Sequence, residues 1–318
     1  MSGTSWTYAL LYRFPKKCKC DPIIAATDSS GSLYGYTNLR HLNVGSTVFK
    51  FTPATGKLKT LYTFPTTAPL SPAGNLVSSL TIGSKGALYG TTARGGSDNF
   101  GTAFEYNTKG TGSPTVLFNS VETSYFAPSP LVSDGLGNLF GTIGDSPNQE
   151  DAVFEWNIAS AAFTFVTDMT SAQAAGSNNG VVFDSSGNLW GSSPTGGGIN
   201  QVGVGTLFGF NVASRTPSVV HTFALSPDGG DPTPVVMGPA NTFYGIVQTG
   251  TNAVAHGTLF TYATATNTFT TAYAFSATDV AGGDPGGPIA VDSSGAAYGS
   301  FQFGRNKTGT AVVFKIVP

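Results

Sequence analysis

Few side chains in this sequence can do chemistry, and those that can sit mostly in glycine-rich segments between short apolar runs. Arg94, His256, Tyr125 and Arg305 are the candidate catalytic groups. Each can donate a hydrogen bond or a proton to an oxygen on which negative charge develops. His41, Phe126, Gln248, Phe301, Phe303 and Trp190 are the candidate substrate-binding groups. Mainly aromatic walls with a few polar tips suit a small hydrophobic molecule. Taken singly, each of these residues also reads as a solvated loop residue.

Familiar catalytic patterns are missing. The histidines are His41, His221 and His256, with no metal-ligand spacing between them. There is no Gly-X-Ser-X-Gly elbow and no phosphate-cradling glycine loop. The segments Asp28–Gly31, Asp134–Gly137, Asp184–Gly187 and Asp292–Gly295 each offer one acid at their head. Calcium takes about six to eight oxygens, so these read as hairpin turns in which Asp bonds its own backbone. The Gly229-Gly230-Asp231-Pro232 and Gly282-Gly283-Asp284-Pro285 segments read as repeat loops. No metal and no cofactor is expected.

Cys18 and Cys20 sit among Lys16, Lys17 and Lys19. Two thiolates are too few for a structural zinc, so the pair reads as a structural loop feature, in either oxidation state. The formal net charge is −2 and no basic stripe appears, which argues against nucleic-acid binding. No apolar run approaches the ~18 residues of a membrane helix. Met1 to Leu11 lacks a basic, then apolar, leader pattern. The Asn306-Lys307-Thr308 sequon and the low charge content, 10%, lean slightly toward the secretory route. Oligomeric state is left open.

The elements that must position these groups are set by a repeat. An aromatic-glycine pair recurs at Tyr34-Gly35, Tyr89-Gly90, Phe140-Gly141, Trp190-Gly191, Tyr244-Gly245 and Tyr298-Gly299. The glycines are 55, 51, 50, 54 and 54 residues apart. A short run ending in phenylalanine follows each pair, at Phe49, Phe104, Phe154, Phe208, Phe260 and Phe314. A second apolar run follows most of them, as in Leu61-Tyr62-Thr63-Phe64. Runs this short, rich in Val, Thr, Tyr and Phe, read as strands.

Four strands per unit and six units predict an all-β, six-bladed β-propeller forming one domain over 1–318. Its blades fall at about 22–66, 72–120, 128–167, 179–223, 233–276 and 286–318, the last with 6–14. The sixth unit ends before its fourth strand, and Leu10-Leu11-Tyr12-Arg13-Phe14 matches Leu61-Tyr62-Thr63-Phe64. The N-terminal strand is therefore expected to close the ring. Second-to-third-strand loops and blade-crossing loops then emerge on one face, and they carry most of the candidate site residues.

Leu88-Tyr89-Gly90-Thr91-Thr92, Gly95-Gly96 and Gly101-Thr102-Ala103-Phe104 resemble the tandem units of bacterial and fungal propeller proteins. The resemblance covers essentially the whole chain. The chain also looks like the six-bladed hetero-Diels–Alderases of fungal tropolone–sesquiterpene pathways. That resemblance implies cofactor-free union of a tropolone o-quinone methide with a humulene-type alkene. The residue reading leaves two alternatives open: a non-catalytic carbohydrate- or protein-binding propeller, and a propeller lyase or hydrolase.

Overall fold

Every repeat glycine lies across a strand pair from its repeat phenylalanine. Gly35, Gly90, Gly141, Gly191, Gly245 and Gly299 pair in antiparallel register with Phe49, Phe104, Phe154, Phe208, Phe260 and Phe314. A Cβ added at any of these glycines would meet the ring tip at 2.3–2.8 Å, far inside van der Waals contact. The glycine supplies space, and the ring fills it. This is why the aromatic-glycine pair and the later phenylalanine recur together.

The computed structural model describes residues 6–15, 20–39, 46–65, 74–83, 86–97, 101–109, 112–119, 129–143, 151–169, 179–196, 204–224, 228–249, 257–276, 285, 287–301 and 311–318. They form six small antiparallel sheets set in a ring, a six-bladed β-propeller. Blade 1 shows the pattern, with strands Cys20–Thr27, Leu33–Leu39, Thr47–Thr52 and Lys57–Thr63 in consecutive order. Among the described residues no helix is long and apolar enough to cross a membrane.

Blade 6 is completed from the other end of the chain. Thr7–Arg13 pairs antiparallel with Val312–Val317, with Leu10 opposite Phe314. Phe14 then repeats the geometry of the other outer strands. Its N–H donates to the Ala311 carbonyl at 2.9 Å, as Phe64 does to Ser46 at 2.8 Å and Phe275 does to Gly257 at 3.0 Å. Tyr12 meets Phe14 edge-to-face at 5.0 Å, as Tyr62 meets Phe64 at 5.0 Å. Blade 5 departs from the four-strand plan: its first strand is split into Gly230–Pro232 and Val236–Met237. Pro232 and Pro234 lack the N–H groups a continuous ladder needs.

The core is divided among the blade junctions, with one apolar cluster at each. Between blades 1 and 2, Ile23, Tyr36, Val48 and Phe64 pack on Leu80, Leu88, Phe104 and Tyr106. Between blades 6 and 1, Phe14, Cys20, Ile24 and Phe49 pack on Ala290, Tyr298 and Val313. Burying each phenylalanine contributes on the order of 2–3 kcal/mol of transfer free energy. Cys20 is fully buried at this junction and is disulfide-bonded. Cys18 lies outside the described residues.

The Asp-headed segments are turns whose carboxylates are already occupied. Asp292 Oδ1 accepts the N–H groups of Ser294 (2.9 Å) and Ala296 (3.1 Å), and Oδ2 accepts the Tyr298 hydroxyl at 2.8 Å. Asp184 does the same with Ser186, Asn188 and Trp190 Nε1. The Asp turn and the aromatic of the aromatic-glycine pair are thus one device. Gly31, Gly187 and Gly295 close three of these turns with φ of +75°, +79° and +83°.

Candidate functional site

In this topology the Asp turns lie on one face of the ring, and the opposite ends of the described strands, such as Leu39, Thr249 and Phe301, lie on the other. The axis between them is nearly filled. Ala25, Leu80, Leu131, Val182, Val235 and Pro288, one from each blade, line a cavity of about 60 Å³ open to water-sized molecules. Substrate sites run to about 300–1,000 Å³, so this space admits a few waters and no ligand of metabolite size. Among the described residues this mainly apolar cavity forms a floor on the axis.

The wall above that floor uses its hydroxyls between blades. In four repeats the residue after the glycine is Ser or Thr, and each takes part in a link to the next blade. Ser79 Oγ, bonded to Thr91 Oγ1 at 2.6 Å, donates to the Ser129 carbonyl at 3.3 Å. Thr142 Oγ1 accepts the Gly180 N–H at 3.0 Å. Ser192 Oγ donates to the Thr233 carbonyl at 2.8 Å, and Ser300 Oγ to the Pro22 carbonyl at 2.6 Å. Buried hydroxyls demand partners, and here backbone groups or hydroxyls of the neighbouring blade supply them.

The described part of the mouth carries carboxylates at one repeat position. Asp21 opens the first strand of blade 1 opposite Asn38. Asp231 opens that of blade 5, between the pairs Gly230–Thr249 and Pro232–Val247, which sets it across from Gln248. Both precede a proline, as Asp284 precedes Pro285 in sequence; Asp284 lies outside the described residues. Asp231 holds φ +59°, unusual for a residue with a side chain. It is exposed by surface area, yet the protein massed beside its carboxyl disfavours the charged form and raises its pKa. Among the described residues no three His, Cys, Asp or Glu side chains converge to hold a metal.

The sequence-derived site residues divide three ways. Gln248 is half-buried at the mouth end of its strand, Thr242–Thr249, across from Asp231. Arg94 ends the second strand of blade 2, its backbone opposite Gly74. His41, Tyr125, Phe126, His256, Phe303 and Arg305 lie outside the described residues. Phe301 and Trp190 are packed into blade junctions, Phe301 at the mouth end of its strand opposite Pro285. Phe301 is fully buried, 4.7 Å from Phe314 and 5.7 Å from Phe275, inside the junction of blades 5 and 6. Trp190 packs 5.0 Å from Phe243 while its Nε1 donates to Asp184, toward the opposite face. Both rings are needed to fill blade junctions. Asp21 and Asp231 were open to discovery from the recurring Asp-Pro pair at the head of an inner strand.

Comparison with known proteins carries the fold and the repeat. A search of curated proteins finds no match. Among solved structures, a gluconolactonase from Xanthomonas campestris is similar over 98% of this chain and 89% of its own, with TM-score 0.59 and 11% identity. A luciferin-regenerating enzyme is similar over 99% and 96%, with TM-score 0.55 and 12% identity. An oligogalacturonate lyase in complex with manganese is similar over 97% and 84%, with TM-score 0.52 and 9% identity. At such identities the likeness is one of fold. The cycloaddition implied by the sequence resemblance gains nothing from them. The repeat itself is matched by a family model across residues 1–204 and 142–318, and the chain belongs to that family, the Gloeobacter/Verrucomicrobia repeat.

Proposed function

We propose that this propeller is an enzyme acting on a small, mainly apolar molecule held at one mouth of its axis, over the floor described above. The observation that supports this reading is that floor: six apolar side chains, one from each blade, line a space of about 60 Å³ on the axis. Apolar partners gain most from such a surface, and expelled water strengthens every hydrogen bond made there. In the finer reading the reaction is an intermolecular hetero-Diels–Alder addition of a tropolone o-quinone methide to a humulene-type alkene. Two new bonds form in one step as π electrons reorganise, with no nucleophile or redox partner required. The protein's task is to hold the reacting carbons and oxygen about 3–3.5 Å apart. Donors among Arg94, Tyr125, His256 and Arg305 would stabilise charge on the methide oxygen.

Incubation with a hydroxymethyl tropolone and humulene tests this. One stereoisomer formed faster than in buffer supports it; product ratios and rates equal to buffer remove it. A second reading is favoured by Asp21 and Asp231 at one repeat position facing amide-bearing positions 38 and 248. Oxygen donors of this kind suit a divalent cation assisting lactone hydrolysis or uronate elimination. Turnover of gluconolactone or oligogalacturonate that is lost on chelation supports that reading. Binding without turnover of any of these points to a non-catalytic propeller.

A further inference from the structure

We propose that His221 and Asp228 form a protonation-sensitive clip that fixes Asp228–Asp231, the segment entering the first strand of blade 5, at the channel mouth. The inference concerns regulation of the mouth and rests on the reading of that face as the working one.

His221 stands where the repeat prefers a tyrosine. Tyr12, Tyr62 and Tyr273 occupy the same outer-strand position, each edge-to-face with the phenylalanine two residues on, at 5.0, 5.0 and 5.4 Å. His221 keeps that contact, with Phe223 at 5.0 Å, and adds two of its own. Its ring stacks on Phe269 of blade 5 at 3.9 Å and 3°. Its Nε2 lies 3.1 Å from Asp228 Oδ2. Both partners depart from the neighbouring repeat together: the next Gly-Gly-Asp-Pro segment is preceded by Ala281 where this one is preceded by Asp228.

Asp228 ties the loop down at several points. Its carboxylate also accepts the Ala224 N–H at 3.3 Å, and its carbonyl accepts the Thr258 hydroxyl at 3.3 Å. Beyond it, the Gly229 N–H donates to Ala224 at 3.1 Å and the Asp231 N–H donates to Val204 at 3.0 Å. Asp231 then faces Gln248 across the mouth strands. The clip therefore sits three residues from the positive-φ carboxylate of the candidate site.

Proton uptake by the imidazole turns a hydrogen bond to a carboxylate into a full ion pair and adds a cation over the Phe269 ring. Asp228 is the carboxylate in contact with it. The strands packed against it, Thr206–Asn211, Thr258–Ala263 and Thr268–Ala274, carry no charged residue, and their titratable side chains are Tyr262 and Tyr273. Burial pushes the Tyr262 hydroxyl above its ordinary value, so it stays neutral when an imidazole gains a proton.

Amide hydrogen exchange at Gly229 and Asp231, read by NMR on the full chain without ligand, tests the clip independently of any activity. After correction for intrinsic exchange, protection at both amides should rise about fivefold or more from pH 8 to pH 5. His221→Tyr restores the repeat residue and should keep the fold while flattening that rise; Asp228→Asn should flatten it too. A wild-type profile without the rise, or either folded variant keeping it, overturns the proposal. If His221→Tyr does not fold, the Asp228→Asn profile decides alone.

Discussion

The Ser300 hydroxyl donates a 2.6 Å hydrogen bond to the Pro22 carbonyl, joining the last blade to the first across 278 residues of sequence. Proline's neighbour in the ring supplies what the repeat supplies elsewhere through Ser192, Thr142 and Thr91. Removing this buried donor leaves a carbonyl without its partner. Ser300→Ala should destabilise the protein by about 1–2 kcal/mol, measured by urea denaturation. An unchanged midpoint would mean that the link contributes nothing to closure.

The glycine–phenylalanine pairing predicts a specific non-additivity. Gly90→Ala drives a methyl group to 2.4 Å from the Phe104 ring tip and should cost roughly 3 kcal/mol. Phe104→Leu withdraws the ring but leaves a cavity, costing about 1–3 kcal/mol. The double variant should be more stable than the sum of the two costs implies, by about 1 kcal/mol or more. Strict additivity in a double-mutant cycle would show that the glycine serves backbone conformation and not space.

Ring closure depends on a strand with four exposed and three half-buried side chains, so its anchor should be Phe14. Phe14 is 5% exposed and packs 5.8 Å from Phe49 of blade 1. Phe14→Ala should cost about 3–4 kcal/mol in denaturant unfolding. It should also raise amide exchange along Val312–Val317, the strand that Thr7–Arg13 covers. Equal exchange there in both proteins would place the closure elsewhere.

The Asp turns give the acid limit a definite sign. Burial pushes the carboxyls of Asp28, Asp184 and Asp292 up, but hydrogen bonds outweigh it and leave all three below the ordinary range. For Asp28 the donors are Ser30, Ser32 and Tyr34, and the Lys50 charge helps. A depressed folded pKa stabilises the protein above the unfolded value, about 3.9, and that stabilisation disappears as pH falls through the lower folded values. Melting temperature should therefore hold this contribution from pH 7 to pH 5 and lose it below about pH 4. In Asp28→Asn/Asp184→Asn/Asp292→Asn the added loss below pH 4 should shrink. Asp231, with its raised pKa, acts oppositely, favouring the fold at low pH and opposing it once ionised.

The architecture was legible in the sequence because a fifty-residue period survives any number of loop changes. The closure was legible for the same reason, since Leu11-Tyr12-Arg13-Phe14 repeats a pattern whose place in the blade was known. The partners of Ser192 and Ser300 were not, because a hydroxyl's bond to the next blade leaves no trace in local spacing. Trp190 and Phe301 show the limit for aromatics. A ring reads as a binding wall or as packing alike in sequence, and the blade junctions these two fill are set by strand register. Asp231 and Gln248 met across the mouth because strand register, which sequence does not state residue by residue, set them opposite.

The most direct test of the central claim is a map of where a small apolar molecule binds. With the hydroxymethyl tropolone and humulene added, amide exchange should slow at the mouth, in 228–232 and 247–249, and stay unchanged in the opposite turns, 134–137 and 184–187. Slowing confined to those turns, or no slowing anywhere, would contradict the account.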